Sequence, residues 1–336
     1  MPVRHLILKR KRMNSNRKIR LYFLGSGEIA IPVLEAVSAS AQIDLVGIGT
    51  QKDQPAGRHR MLQETPVARF APKTGAPLDK FESLNSPESL AYLSDLELDI
   101  ILVVSFGQIL REPVLNLPKY GCMNIHSSLL PRFRGASPIT NAILQRDSAT
   151  GITFMQMDKG LDTGGIYCSF RYPLIGNEYA DDLEKALGRF AAEHVVEVVD
   201  RVITARMKPV PQNHQEAVLT RKIKKHDGAI DWNMAAEEVE ARIRAYHPWP
   251  GAYFVAANPE RRSVIKITAA RIIGDRSGMP GEILQADRHG WIIACGSGAL
   301  ELIRIVPQGR KEMGSIDFLN GFKLSSGMAV LGGGES

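Results

Sequence analysis

Cysteine is scarce. Three residues in 336, Cys122, Cys168 and Cys295, lie far apart and form no CxxC pair. That excludes a disulfide framework and a cysteine-based zinc site, and it predicts three reduced core thiols in a protein of a reducing compartment. Apolar residues make up 44% of the chain, yet they never reach the roughly 18 in a row that a membrane span requires. No membrane partner is expected. No His/Cys cluster has the spacing of metal ligands, so no metal is expected, and no serine or cysteine is evidently placed as a covalent nucleophile. Acidic residues are missing from the first 20 positions, which carry eight Lys or Arg.

What is present is a chain long enough for two domains. The net charge of +6 is uneven: residues 1–20, 21–205 and 206–336 carry +8, −6 and +4. A slightly acidic body with basic flanks suits a polyanion, because each Lys or Arg placed near a phosphate releases counterions; a solvated surface has the same composition. Residues 1–18 are read as a disordered basic tail. They share the acid-free, Arg-rich character of a transit peptide with too short an apolar run, and Met13 is an alternative start.

From residue 19 onward, apolar strands alternate with amphipathic helices. "IRLYFLG", "IDLVGIGT", "DIILVVSF", "GCMNIHS" and "GITFMQM" read as buried strands, and "SPESLAYLSDL" and "PITNAILQR" as helices between them. This α/β pattern predicts a parallel-rich sheet covered on both faces, closed near residue 205 by the long helix "ADDLEKALGRFAAEHVVEVVDRVI". Residues 206–222, with two prolines among residues 206–211 and little apolar periodicity, read as a linker. Residues 223–336 hold one helix, "MAAEEVEARIRAY", and short β-type runs separated by turn residues, which predict a small antiparallel barrel or sandwich. Trp249, between Pro248 and Pro250, is expected to fix the entry to that barrel.

Three groups of residues could carry chemistry. The turn Gly25-Ser26-Gly27-Glu28-Ile29-Ala30 formally matches a dinucleotide fingerprint. Glu28 would repel a pyrophosphate, however, and no acid closes the second strand, so a tight strand-to-helix turn is the better reading. Asn124 and His126 stand two apart on a strand, and their side chains therefore leave it on one face. They occupy its C-terminal end, the edge at which parallel sheets bind ligands. The loop that follows, "SSLLPRFRGASP", would offer apolar groups and main-chain polar groups at that edge, where a flat apolar ligand could pack. Asp162 and Asp158 lie in the tight loop "MDKGLDTGG" after the next strand, and either could be a plain turn acid. Taken together, a carboxamide that donates, an imidazole that donates or accepts, and an acid that manages protons point to direct acyl-type transfer. A substrate amine attacks a carbonyl while Asn124 and His126 stabilise the oxyanion and Asp162 handles the protons.

"NIHSSLLPRFRGASPI" and "GITFMQMDKGLDTGGIY" resemble the signature of the folate-dependent formyltransferases. The resemblance runs over nearly the whole chain, through "TQKDQPAGR", "IDWN" and "IRAYHPWPGAY". It implies a Rossmann-like formyltransferase domain and a C-terminal OB-like β-barrel, with 10-formyltetrahydrofolate as cosubstrate and no metal or nicotinamide. It implies Asn124, His126 and Asp162 as the catalytic trio, and Ser128, Leu129, Leu130 and Pro131 as the lining of the folate site. The PAGR loop and the HPWPGAY entry to the barrel favour, within the family, an initiator methionyl-tRNA as acceptor. Arg58, His59 and Arg60 would then enter its acceptor stem, and the barrel (residues 223–336) would lie along its backbone. A monomeric cytoplasmic enzyme is expected. The alternative is a relative that formylates a small amine, such as an amino sugar nucleotide or a ribosyl glycinamide.

Overall fold

The computed structural model describes residues 17–56 and 61–333. In chain order the strands of the first part are β1 (Ile19–Gly25), β2 (Ile43–Gln51), β3 (Gln54–Ala56), β4 (Met61–Gln63), β5 (Leu78–Phe81), β6 (Ile100–Val104), β7 (Cys122–His126), β8 (Arg134–Gly135), β9 (Ala149–Gln156) and β10 (Ile166–Pro173). The helices are α1 (Ala30–Ala39), α2 (Pro66–Phe70), α3 (Pro87–Asp95), α4 (Glu112–Leu115), α5 (Pro138–Leu144) and α6 (Ala180–Ile203). Seven strands form one sheet in the order β10-β9-β7-β6-β1-β2-β5. The pairs β1–β2, β1–β6, β6–β7 and β2–β5 are parallel, as the alternation of strands and helices predicts.

The central strands are apolar throughout because both faces are covered. Leu21, Tyr22, Phe23 and Leu24 of β1 and all of β6 are buried. Helix α1 supplies part of the cover with Ala30, Val33, Leu34 and Val37, buried at i, i+3, i+4 and i+7. Ser86 caps α3 by accepting from Ser89 N, with Pro87 in the first turn, where a missing N–H costs nothing. Helix α6 spans the same residues as the sequence pattern marks. The edge strand β10 escapes that pattern: its residues are half-buried or exposed, and no continuous apolar run marks it.

The chain packs as two compact units. One takes the residues up to His126, Phe154–Cys168 and Gly188–Pro211; the other takes Ser127–Thr153, Ser169–Leu187 and Gln212 onward. From Gln212 onward the second unit is built around an antiparallel sheet. It contains β11 (Leu219–Thr220), α7 (Ala236–Ala245), β12 (Ala252–Ala257), β13 (Arg262–Ile273), β14 (Ile283–Asp287), β15 (Gly290–Ala294), β16 (Ala299–Pro307), β17 (Met313–Gly314) and α8 (Ser315–Gly321). The sheet runs β12-β13-β16-β15-β14, with β17 on β16.

The sheet curls around Trp232, Phe254, Trp291, Phe318 and Phe322, with Trp291 stacked on Phe318 at 5.7 Å. Its two edge strands are joined by the chain at 327–331. Met328 O accepts from Ile283 N at 2.7 Å, Val330 N donates to Gly281 O at 2.8 Å, and Leu331 exchanges both main-chain bonds with Val255 at 3.0 and 3.1 Å. A half-barrel thereby gains a closing stave. Trp249 does not fix its entry, contrary to expectation, because it is 57% exposed. The turn is held by Gly251 N donating to Tyr246 O at 2.9 Å, by Lys266 Nζ donating to Pro250 O at 2.8 Å, and by His247 Nδ1, which lies 3.1 Å from Asp181 Oδ1.

Candidate active site

Asn124 and His126 are the third and fifth residues of β7, so both side chains leave one face of the sheet. Strand β7 is registered on β6, with Asn124 opposite Val103. Asn124 is half-buried and His126 is 6% exposed.

The acid arrives from the loop after β9. Its base is closed by Gln156 N donating to Gly165 O and Met157 N donating to Cys122 O, each at 2.8 Å. Asp158 Oδ1 accepts from Gly160 N at 3.0 Å and from Thr163 Oγ1 at 2.7 Å. Two glycines make the turn possible. A Cβ on Gly164 would lie 1.8 Å from Gln156 O, and one on Gly160 would lie 1.9 Å from Thr163 Oγ1. Asp162 itself takes a left-handed conformation, φ 52°, which a non-glycine residue adopts at a cost. Its Oδ2 comes 3.6 Å from His126 Nδ1, with the two side chains 15% and 7% exposed. The structure thus separates the two acids: Asp158 builds the turn, and Asp162 faces the ring.

The loop of Ser128, Leu129, Leu130 and Pro131 is tightly specified. Ser128 Oγ donates to Arg132 O at 2.6 Å, and Leu130 is buried while Leu129 and Pro131 keep part of their apolar surface exposed. The two arginines that follow are committed internally. Arg132 makes a paired contact with Asp147 at 2.8 and 3.0 Å and lies over the Phe133 ring. Buried Arg134 donates to Gln212 Oε1 at 2.7 and 3.0 Å and lies 3.1 Å from His214 Nδ1. β8 pairs with β11 beside it, Arg134 with Leu219 and Gly135 with Thr220. These partners lie about 80 residues away in sequence, and no local pattern points to them.

In the first turn, Ser26 Oγ lies 3.2 Å from Thr50 Oγ1 and 3.3 Å from Phe106 O, and Thr50 Oγ1 is 2.7 Å from Thr65 Oγ1. A Cβ on Gly25 would lie 2.7 Å from the Phe23 ring. The glycine serves close packing of the turn. Arg58, His59 and Arg60 lie outside the described residues. The strands before and after them in the chain, β3 and β4, form an antiparallel stem: Gln54 pairs with Gln63 and Pro55 with Leu62. Lys80 of β5 holds the stem from both sides, with Nζ 2.9 Å from Asp53 Oδ2 and 2.9 Å from Glu64 Oε1. Sequence reading passes over Lys80 and Thr163. A lysine spaced among acids and a hydroxyl within a glycine-rich turn are the only local signals they offer.

Residues 18–199 match the Formyl transferase family, and residues 222–323 match the Formyl transferase, C-terminal domain. The chain belongs to the formyl transferase family. A methionyl-tRNA formyltransferase of Sorangium cellulosum (strain So ce56) is 39% identical over 93% of this chain and 99% of its own. Among solved structures, HypX from Aquifex aeolicus in complex with tetrahydrofolic acid superposes with a TM-score of 0.59 at 15% identity, over 91% of this chain and 48% of that one. Methionyl-tRNA formyltransferase from Clostridium thermocellum does so with a TM-score of 0.53 at 15% identity, over 77% and 95%. At such identities the superpositions establish the fold: a Rossmann-like domain followed by a curled antiparallel sheet.

Proposed function

We propose that this formyl transferase moves the formyl group of 10-formyltetrahydrofolate to the α-amine of methionyl-tRNA, with the initiator tRNA as acceptor. The observation that carries the reading is alignment with a relative bearing that activity, at 39% identity and over 99% of its length. The folate supplies an activated formyl group, and the chain supplies the rest. Asn124 Nδ2 and His126 donate to the formyl oxygen as negative charge gathers on it. Asp162, 3.6 Å from Nδ1, orients the ring and receives the proton of the attacking amine; N10 of the folate takes up a proton as its bond to the formyl carbon breaks, and tetrahydrofolate leaves. Ser128, Leu129, Leu130 and Pro131 receive the flat folate ring. The part-exposed Leu129 and Pro131 fit an apolar face, and the main chain fits its polar edge.

Arg58, His59 and Arg60, in the stretch of chain between β3 and β4, meet the acceptor stem. Residues 19–205 form the catalytic domain, 206–222 the linker and 223–336 the tRNA-binding barrel. In that last stretch phosphate contacts position the substrate and need not touch the chemistry. The enzyme works as a monomer in the cytoplasm; among the described residues no helix is long and apolar enough to cross a membrane.

The test uses purified full-length protein with 10-formyltetrahydrofolate and three acceptors in parallel: methionyl-tRNA, an amino sugar nucleotide and a ribosyl glycinamide. Formylmethionyl-tRNA should accumulate, and uncharged tRNA should compete. Transfer to a small amine with methionyl-tRNA inert would overturn the assignment in favour of the small-amine alternative.

A further inference from the structure

Thr153 interrupts the apolar run of β9 between Ile152 and Phe154, and it is fully buried. A hydroxyl in that position needs partners. Oγ1 donates to Ser128 O at 2.7 Å, accepts from Leu130 N at 3.2 Å and lies 3.0 Å from Ser169 Oγ. The first two bonds fall two residues apart in the chain, so one atom pins both sides of Leu129. Gly151, on the same face of β9, leaves the space that Leu129 occupies: a Cβ there would come 2.6 Å from Leu129 Cδ2. One strand face thus sets the shape of Ser128-Leu129-Leu130-Pro131.

Resting on the assignment of that loop to the folate, we propose that Thr153 is a positioning residue for folate binding. Its hydroxyl holds the main-chain groups of Ser128 and Leu130 in the geometry that receives the ring. It touches neither substrate.

Valine at 153 keeps the shape and removes both donor and acceptor, leaving Ser128 O and Leu130 N without their partner. Thr153→Val should raise KM for 10-formyltetrahydrofolate about tenfold, the scale of two lost hydrogen bonds of modest net worth. KM for methionyl-tRNA and kcat at saturating folate should stay near wild type, and Thr153→Ser should restore the folate KM. A merely structural role would lower the melting temperature without separating the two KM values. The proposal fails if folded Thr153→Val has the wild-type folate KM, or if both KM values rise together. Should the valine variant not fold, Thr153→Cys carries the same comparison, because a thiol is a weak donor and acceptor of similar size. Leu129→Ala, measured alongside, separates the two claims. Unchanged folate affinity in Leu129→Ala sinks the loop assignment itself. Weakened affinity there with a normal Thr153→Val sinks the role of Thr153 alone.

Discussion

Asp158 and Asp162 share one turn, and their surroundings give them different tasks. The first spends an oxygen on Gly160 N and Thr163 Oγ1; the second lies beside the imidazole of His126. Asp162→Asn keeps the volume and removes the charge, so kcat at saturating substrates should fall about 10²–10⁴-fold, the usual worth of acid–base catalysis. Asp158→Asn keeps an acceptor oxygen for both donors and should cost less than about tenfold. A near-wild-type rate for Asp162→Asn would remove that residue from the mechanism. The cysteines have no comparable task. Burial pushes the Cys122 and Cys295 thiols up to about 12 and the half-buried Cys168 to about 11, so none is a thiolate at neutral pH. Two of the three are core thiols; the expectation of three fails at Cys168, which is only half-buried on edge strand β10.

Single elements are held by charge pairs that local sequence only hints at. The hairpin β3–β4 is braced by Lys80 from a neighbouring strand. The one-turn helix Lys225–Gly228 is tied back by Asp227, which accepts from Lys224 N at 2.6 Å and from Arg221 Nη1 at 2.8 Å. The Arg221 guanidinium, against the opposing effect of desolvation, holds the Asp227 carboxyl down at about 2. Its unfolded value is about 3.9. The folded state therefore binds this proton less readily. The pair's stabilisation is complete above about pH 4 and is lost as the pH falls toward about 2. In melts taken at intervals from neutral pH downward, the wild type should lose stability more steeply below pH ~4 than Asp227→Asn. Superimposable acid limbs would show that the pair contributes nothing.

At the scale of the molecule, the second unit depends on its last described residues. The chain at 327–331 joins strands β12 and β14, and Val330 is buried in the aromatic core. Truncation after Ser326 exposes two sheet edges and removes Val330, whose burial alone is worth about 1.5–3 kcal/mol. With the lost main-chain bonds, the melting temperature should fall by roughly 5–10 °C. A truncated protein that melts with the full chain would mean that the sheet holds its curl unaided. The same truncation leaves β7, Ser128–Pro131 and the loop with Asp162 intact in the chain, so folate binding by whatever protein remains folded should survive.

Much of this molecule is local. The apolar runs of β1, β2 and β6 and the periodicity of α6 announce themselves, because burial on two faces or on one stripe leaves a period in the sequence. The spacing of Asn124 and His126 also determines that they share a face, since a strand alternates at every residue. Other features were decided only by packing. Edge strand β10 carries no apolar run. Arg132, which stays exposed, and Arg134, which is buried, carry no local sign of their partners Asp147 and Gln212, 15 and 78 residues away. The Gly-rich end of the chain gives no sign that it completes a barrel, because main-chain hydrogen bonding across a sheet needs no particular side chain. Which acid of two reaches the histidine likewise followed from a backbone turn. Sequence determines what must be buried and on which face; which distant group satisfies it exists only once the chain has closed on itself.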